Sequence, residues 1–425
     1  MSVELIINGG RRLRGAVRVA GGKNSSLAVI AASALAPDVS TLENVPHCRD
    51  VATLLDILEA LGARTSLEGG RLTIDARGLN GHVAPYDLCR SMRASFYTAG
   101  VLLGRMGRAQ VPLPGGCSIG ARPVDFHLRG FAALGARVVT EHGYMKASAR
   151  RLKGNTFYVP RSSVGTTINL MMAASTARGA TVLQNAAREP EVVDTAVFLN
   201  LMGARIKGAG TDAITIEGVR EMHGNSYAII PDRLEAGTYL MAGAATGGDV
   251  LVEGMIPEHI TALLAKMEEA GIEVIRNTDG VRACAGADLR AVDVDTAPYP
   301  GFATDLHPQM AALLTLARGS STIRETVFEA RFAYTDELRR MGANIKAEGD
   351  SVHITGVERL TGAPVEAPDI RGGAAVLIAA LAAEGVTEIS RVENLDRGYE
   401  GLERKLTLLG AQITRAGSVE SREVG

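Results

Sequence analysis

The segment Pro112-Leu113-Pro114-Gly115-Gly116-Cys117-Ser118-Ile119-Gly120-Ala121-Arg122-Pro123 sets a thiol and a guanidinium five residues apart. Glycine beside Cys117 points to an exposed loop, although an isolated cysteine more often packs as a small hydrophobe. A nearby arginine favours the thiolate, and a thiol that ordinarily titrates at about 8.5 can then trade a proton closer to neutral pH. A second set of polar residues stands where apolar helices begin. Lys23 and Asn24 precede 25–35, Arg93 opens 93–103, Asp305 precedes 308–317, and Asp369-Ile370-Arg371 precedes 373–383. A helix start offers unpaired N–H groups and the positive end of a dipole, which suits an anion. Arginines also recur at matched places: Arg49, Arg122 and Arg397 each lie thirteen residues ahead of a repeated glycine, Arg331 eleven and Arg188 fifteen. Their fork matches carboxylate and phosphate. Any one of them could equally be a cap or a surface ion pair; several in equivalent positions favour a substrate with several negative charges.

The elements that must position these residues form a repeat. A short phrase recurs as Leu61-Gly62-Ala63, Leu134-Gly135-Ala136, Met202-Gly203-Ala204, Ala270-Gly271-Ile272, Met341-Gly342-Ala343 and Leu409-Gly410-Ala411, at intervals of 73, 68, 68, 71 and 68 residues. Six near-equal units are therefore expected. Each phrase closes an amphipathic helix, as in 51–61, with glycine at the C-cap. A hairpin follows most copies, such as Arg205-Ile206-Lys207 and 213–217 around a Gly/Asp-rich turn. Each unit also carries a second helix that is apolar almost all round and hence buried: 25–35, 93–103, 167–177, 308–317 and 373–383. The unit reads strand, helix, strand, helix, hairpin, a layered α/β arrangement. Six such units exceed one core, so two domains of three are expected, joined near Pro231.

Composition narrows the functional class. A net charge of -2 over 425 residues gives no electrostatic reason to expect nucleic acid or an anionic membrane. The four cysteines, Cys48, Cys89, Cys117 and Cys284, include no C-x-x-C pair, so neither a zinc site nor a dithiol motif is expected. They read as reduced cytosolic thiols. The first ten residues are strand-like rather than a signal peptide. The longest apolar runs, such as 374–383, fall well short of the roughly 20 residues that span a bilayer. A cytoplasmic, soluble chain is the expectation.

The residues that could do chemistry also carry a likeness. Gly21-Gly22-Lys23-Asn24, Met92-Arg93-Ala94-Ser95, the loop from Pro114 to Asp125, Ser163-Val164-Gly165, the run from Asn185 to Glu191, Pro231-Asp232-Arg233, Thr304-Asp305, Arg331-Phe332 and the run from Asp396 to Glu400 resemble the enolpyruvyl transferases, and among them those that act on UDP-N-acetylglucosamine. The likeness runs nearly end to end, and the cysteine loop is its most specific part. It implies a two-domain inside-out α/β barrel fold of six βαβαββ repeats with buried parallel helices. Residues 22–230 would form one domain with the Cys117 loop, and 1–21 with 231–425 the other, around an active site in the interdomain cleft.

The same likeness implies roles by matching position. Lys23, Arg122 and Arg397 would hold the phosphate and carboxylate of phosphoenolpyruvate. Cys117 would be the general acid at its methylene carbon, able to form a covalent adduct. Asp305 would be the base for the 3-hydroxyl of UDP-N-acetylglucosamine. Asn24, Arg93, Arg122, Pro123, Val124, Asp125, Phe126, Arg161, Ser162, Ser163, Val164 and Val327 would line the nucleotide-sugar site, with Arg331 and Arg371 in the same cleft. No cofactor or metal is implied, and no nucleic-acid or membrane partner; the oligomeric state is left open. Arg161 departs from the lysine of some family members, and Gly372-Gly373 from their Ala-rich helix start, which would loosen the hold on Arg371. A shikimate 3-phosphate enzyme is disfavoured, because that branch lacks the Pro-Gly-Gly-Cys loop. An enzyme for another nucleotide could keep the loop, and a non-catalytic scaffold would have no use for both an acid and a base.

Overall fold

The computed structural model describes residues 4–114, 124–286, 288–329 and 331–417. These fall into two compact units: residues 4–20 with 231–417, and residues 21–114 with 124–230. Among the described residues, each unit holds three sheets and three helices that are buried almost all round.

In the unit of residues 21–230 the buried helices are Lys23–Ser33, Tyr97–Met106 and Val164–Ala174. Apolar and small residues, with buried Ser, Thr and Asn among them, leave these helices little face for water, so each is enclosed by sheet and helix. Close approach is specified by small residues. A Cβ on Gly100 would lie 2.4 Å from the Asn169 carbonyl oxygen, and instead the Gly100 N–H donates to Asn169 Oδ1 at 2.8 Å. In the other unit the buried helices are Arg233–Ala245, His307–Leu314 and Ile370–Ala382.

The recurring glycines all adopt left-handed backbone, with φ between 84° and 103°, a region that costs other residues a Cβ clash. In the first copy the Gly62 N–H donates to Glu59 O and the Ala63 N–H to Leu58 O. The same pair of bonds recurs around Gly135, Gly203, Gly342 and Gly410. The phrase is thus a Schellman cap, and the alanine after the glycine turns back into the core.

At each crossing of the chain, the strand before the crossing pairs within its own unit. The strand Arg14–Arg18, which precedes the helix Lys23–Ser33, runs parallel to Asp249–Glu253 within the unit of residues 4–20 and 231–417. The strand Ser226–Ala228, which precedes Arg233–Ala245, runs parallel to Val39–Glu43. The first strand, Glu4–Asn8, lies antiparallel between Val386–Ser390 and Gln412–Ala416, so the last repeat is completed by the start of the chain. The second repeat keeps only a single bridge, Val83 to Gln110, in place of its first strand.

Candidate active site

The helix Lys23–Ser33 starts from Gly22 in extended backbone, without a side-chain cap. Gly22 is pinned by its N–H to Ile230 O at 2.7 Å. The position of Gly21 admits no side chain, because a Cβ there would lie 1.7 Å from Asn44 O. Lys23 is therefore delivered, buried, to the end of the helix where N–H groups and dipole already favour an anion. Its Nζ lies 3.4 Å from Asp50 Oδ2, in the first turn of the helix Arg49–Ala60. One turn on, Ser25 Oγ and Tyr227 OH both donate to the buried Asp194 carboxylate. Burial pushes that carboxyl above its ordinary range despite the two donors.

The corresponding place in a repeat of the other unit carries the opposite charge. Asp305 sits in the short 3-10 turn Thr304–Leu306 that leads into the helix His307–Leu314. Arg331 Nη1 lies 2.7 Å from its Oδ1, and Arg371 Nε donates to its Oδ2 at 3.3 Å. Both guanidiniums are buried, while Asp305 keeps a quarter of its side chain exposed. Arg371 is aimed by Tyr399, whose hydroxyl accepts from Nη1 at 3.2 Å. Burial raises the Tyr399 phenol, which keeps it protonated, and its oxygen also meets Thr238 Oγ1 at 3.1 Å. Gly372 and Gly373 follow Arg371 in this helix. Asp369 caps it, accepting from the Arg371 and Gly372 N–H groups at 2.9 and 3.0 Å. A Cβ on Gly373 would lie 2.9 Å from the Ala367 Cβ, so close packing accounts for the small residue. Arg331 Nε is buried and meets no hydrogen-bond partner among the described residues.

Among the other candidates, Arg93 opens the 3-10 turn Arg93–Phe96, and Asn24 and Val124 to Phe126 are partly exposed. Asp125 begins the helix Asp125–Ala133, and its Oδ1 is buried without a hydrogen-bond partner among the described residues. Ser163 caps the helix Val164–Ala174, accepting from the Thr166 N–H at 3.3 Å; Ser162 is partly exposed and Arg161 exposed. Val327 is partly exposed, in the loop after the strand Ser320–Arg324. Arg397 is half-buried where the second helix of the last repeat breaks into Glu393–Asp396 and Leu402–Leu408. Cys117, Arg122 and Pro123 lie outside the described residues. Arg49 and Arg188, which share the arginine spacing, are exposed.

Sequence reasoning did not single out Asp50, His127, Tyr399, Thr304 or Glu325. His127 follows the segment 124–126 and is buried against Phe96, with the rings edge-on at 5.1 Å. Burial, with Arg93 adding to it, pushes its imidazole down to about 3. Asn169 Nδ2 donates to Nδ1 at 3.1 Å, which leaves the proton of the neutral ring on Nε2. Asp50 had a sequence signal, since it follows Arg49 at the start of a second helix, and Thr304 and Tyr399 stand within runs that carry the likeness; His127 and Glu325 had none.

The family described as EPSP synthase (3-phosphoshikimate 1-carboxyvinyltransferase) matches residues 7–406. The chain is 55% identical to UDP-N-acetylglucosamine 1-carboxyvinyltransferase 2 of Symbiobacterium thermophilum over 417 residues, 98% of either chain. The chain belongs to the UDP-N-acetylglucosamine 1-carboxyvinyltransferases, within the enolpyruvyl transferase family. Membership makes it a transferase with the α/β architecture of that family. Its structure is similar to the enolpyruvyl transferase NikO from Streptomyces tendae, with a TM-score of 0.88 and 28% identity over 98% of this chain and 100% of the other. It is also similar to an EPSP synthase from Acinetobacter baumannii, with a TM-score of 0.77, 98% of this chain and 100% of that one covered; at 19% identity that likeness shows the fold alone.

Proposed function

We propose that this carboxyvinyltransferase moves the enolpyruvyl group of phosphoenolpyruvate to the 3-hydroxyl of UDP-N-acetylglucosamine and releases phosphate, the first committed step of peptidoglycan precursor synthesis. The observation that carries the reading is Asp305, a partly exposed carboxylate at a helix start, held by the buried Arg331 and Arg371. A base with cations beside it is what an alcohol attacking an anionic substrate requires.

In this reading Lys23, Arg122 and Arg397 bind the carboxylate and phosphate of phosphoenolpyruvate. Asp305 takes the proton of the 3-hydroxyl as its oxygen bonds to the central carbon. The Cys117 thiol gives its proton to the methylene carbon, which becomes a methyl group. In the second half the methyl returns a proton, the central carbon–oxygen bond to phosphate breaks, and the vinyl group is restored on the sugar. The substrate's anionic groups compete for Arg331 and Arg371, which frees Asp305 to accept its proton. Asn24, Arg93, Asp125, Arg161 and Val327, with the segments 122–126 and 161–164, line the nucleotide-sugar site. In this reading residues of both units serve one pair of substrates. Both substrates are charged metabolites, and we place the enzyme in the cytoplasm; among the described residues no helix is long and apolar enough to cross a membrane.

Phosphate release from phosphoenolpyruvate, measured with a panel of acceptors, tests the reading. Stoichiometric release is expected with UDP-N-acetylglucosamine. Release with shikimate 3-phosphate or another nucleotide, and none with UDP-N-acetylglucosamine, would overturn it. The likeness to NikO is the reason other nucleotides belong in the panel.

A further inference from the structure

Glu325 is buried just after the strand Ser320–Arg324, at 3% exposure, and its carboxylate accepts five hydrogen bonds. Oε1 accepts from Thr296 Oγ1 at 3.0 Å and from the N–H groups of Val327 and Phe328 at 2.7 and 3.0 Å. Oε2 accepts from Thr304 Oγ1 at 2.8 Å and from His307 Nδ1 at 2.7 Å. The donors come from separate stretches of chain: the turn that carries Asp305, the loop that carries Val327, and the strand end at Thr296. Burial alone would raise this carboxyl; the bonds from His307 and Thr304 outweigh it and hold the group ionised, below the usual range. Burial pushes the His307 imidazole below its ordinary value, against the pull of Glu325. Its Nδ1–H therefore points at Glu325, and its Nε2 accepts from Tyr334 OH at 3.1 Å.

The chain of contacts continues to the base. Thr304 gives its only hydroxyl proton to Glu325, so its oxygen is turned to accept from Arg331 Nη1, at 2.9 Å. The same Nη1 reaches Asp305 Oδ1 at 2.7 Å. A buried charge is costly even when it is paired, and an apolar side chain would fill the same volume without desolvating one. What the carboxylate adds is direction: it decides which way the Thr304 hydroxyl points, and through it where the guanidinium lies.

We propose that Glu325 and Thr304 are positioning residues of the transfer, aiming Arg331 at Asp305 and tying the turn of the base to the loop that carries Val327. The inference rests on Asp305 acting as the base. Neither residue touches the reacting atoms; both act through Arg331. Misplacing a reacting group by about 1 Å costs on the order of 100-fold in rate.

The test compares steady-state kinetics of Thr304→Val, Thr304→Ser and Glu325→Gln with wild type, beside Asp305→Asn as the reference. Thr304→Val keeps the shape and removes the hydroxyl. Its kcat should fall about 100-fold, while KM for phosphoenolpyruvate stays within about twofold. Thr304→Ser should recover most of kcat, because it restores the relay. Glu325→Gln keeps the volume but presents a donor where donors already point; it should lose kcat in the same pattern, and it decides the matter should Thr304→Val not fold. Wild-type kcat in Thr304→Val or Glu325→Gln would overturn the inference. So would a uniform loss of folded protein that serine does not rescue. Wild-type turnover in Asp305→Asn would instead overturn the reading of the base on which the inference stands.

Discussion

Lys23 and Asp305 occupy the same place in two repeats, the start of a buried helix, and carry opposite charges. Lys23 pairs with the carboxylate of Asp50, at 3.4 Å. Asp305 is gripped by two guanidiniums, the nearer at 2.7 Å. At the first position the lysine adds to the helix dipole, so the end of the helix is built to receive an anion. At the second, dipole and arginines together hold a carboxylate in place until something anionic competes for its partners. The repeat supplies the place, and the residue put there sets the chemistry, so one architecture can hold a phosphate at one helix start and take a proton at another.

The largest effect expected concerns the acid that must complement Asp305. Cys117→Ser should lose about 10²- to 10⁴-fold in turnover, the usual worth of a positioned proton donor, whereas Cys117→Asp should stay active. The epoxide fosfomycin should alkylate Cys117 alone, and faster with the UDP-sugar bound. Cys48 and Cys89 are buried, and burial pushes the Cys89 thiol up to about 11. Burial, and after it the bond to Asp249, raises Cys284. Mass spectrometry that finds the adduct on one of these, or full turnover by Cys117→Ser, would break the assignment.

The next effect sharpens the contrast itself. Removing a charge-assisted contact costs about 1.5–3 kcal/mol, so Lys23→Ala should raise KM for phosphoenolpyruvate about 10- to 100-fold. Asp50→Asn, which only loosens the lysine, should raise it less. Equal effects would mean that Lys23 is held for the fold alone. A smaller effect, about 1–3 kcal/mol of stability, is expected for Gly100→Ala, because its Cβ would meet backbone at 2.4 Å in the unit that carries Lys23. Thermal melts that match wild type would contradict that packing.

The smallest concerns pH. Glu325 is held below its unfolded value, so its contribution to stability is complete above about pH 4.3 and disappears as pH falls through the folded value. The gap in urea midpoint between wild type and Glu325→Gln should therefore be widest near about pH 7 and shrink toward about pH 3. A gap that widens in acid would reverse the sign.

Much of this architecture is legible before any coordinate. The recurring glycines announce helix ends because a left-handed cap admits little else, and charge at the heads of several apolar helices in equivalent places favours an anionic ligand, although any one alone could be a cap or an ion pair. Spacing located the second-helix loops but could not say what surrounds a side chain: Arg49 and Arg397 share one interval, yet Arg49 is exposed and Arg397 half-buried. Glu325 reads as an ordinary strand-end residue, since its role depends on partners at Thr296, Thr304 and His307 that only the sheet brings near. The grip on Asp305 spans 66 residues to Arg371, and no local pattern announces it. The pairing of the strands Arg14–Arg18 and Ser226–Ala228 is equally silent, because parallel pairing leaves no mark on either strand alone.

The most direct test is a single turnover of Asp305→Asn with both substrates saturating, quenched in acid and read by mass spectrometry for the enolpyruvyl nucleotide sugar. Phosphoenolpyruvate should bind as in wild type, because Lys23 is untouched, and product should form at less than about 1% of the wild-type rate. Product at the wild-type rate would contradict the assignment of opposite roles to the two helix starts.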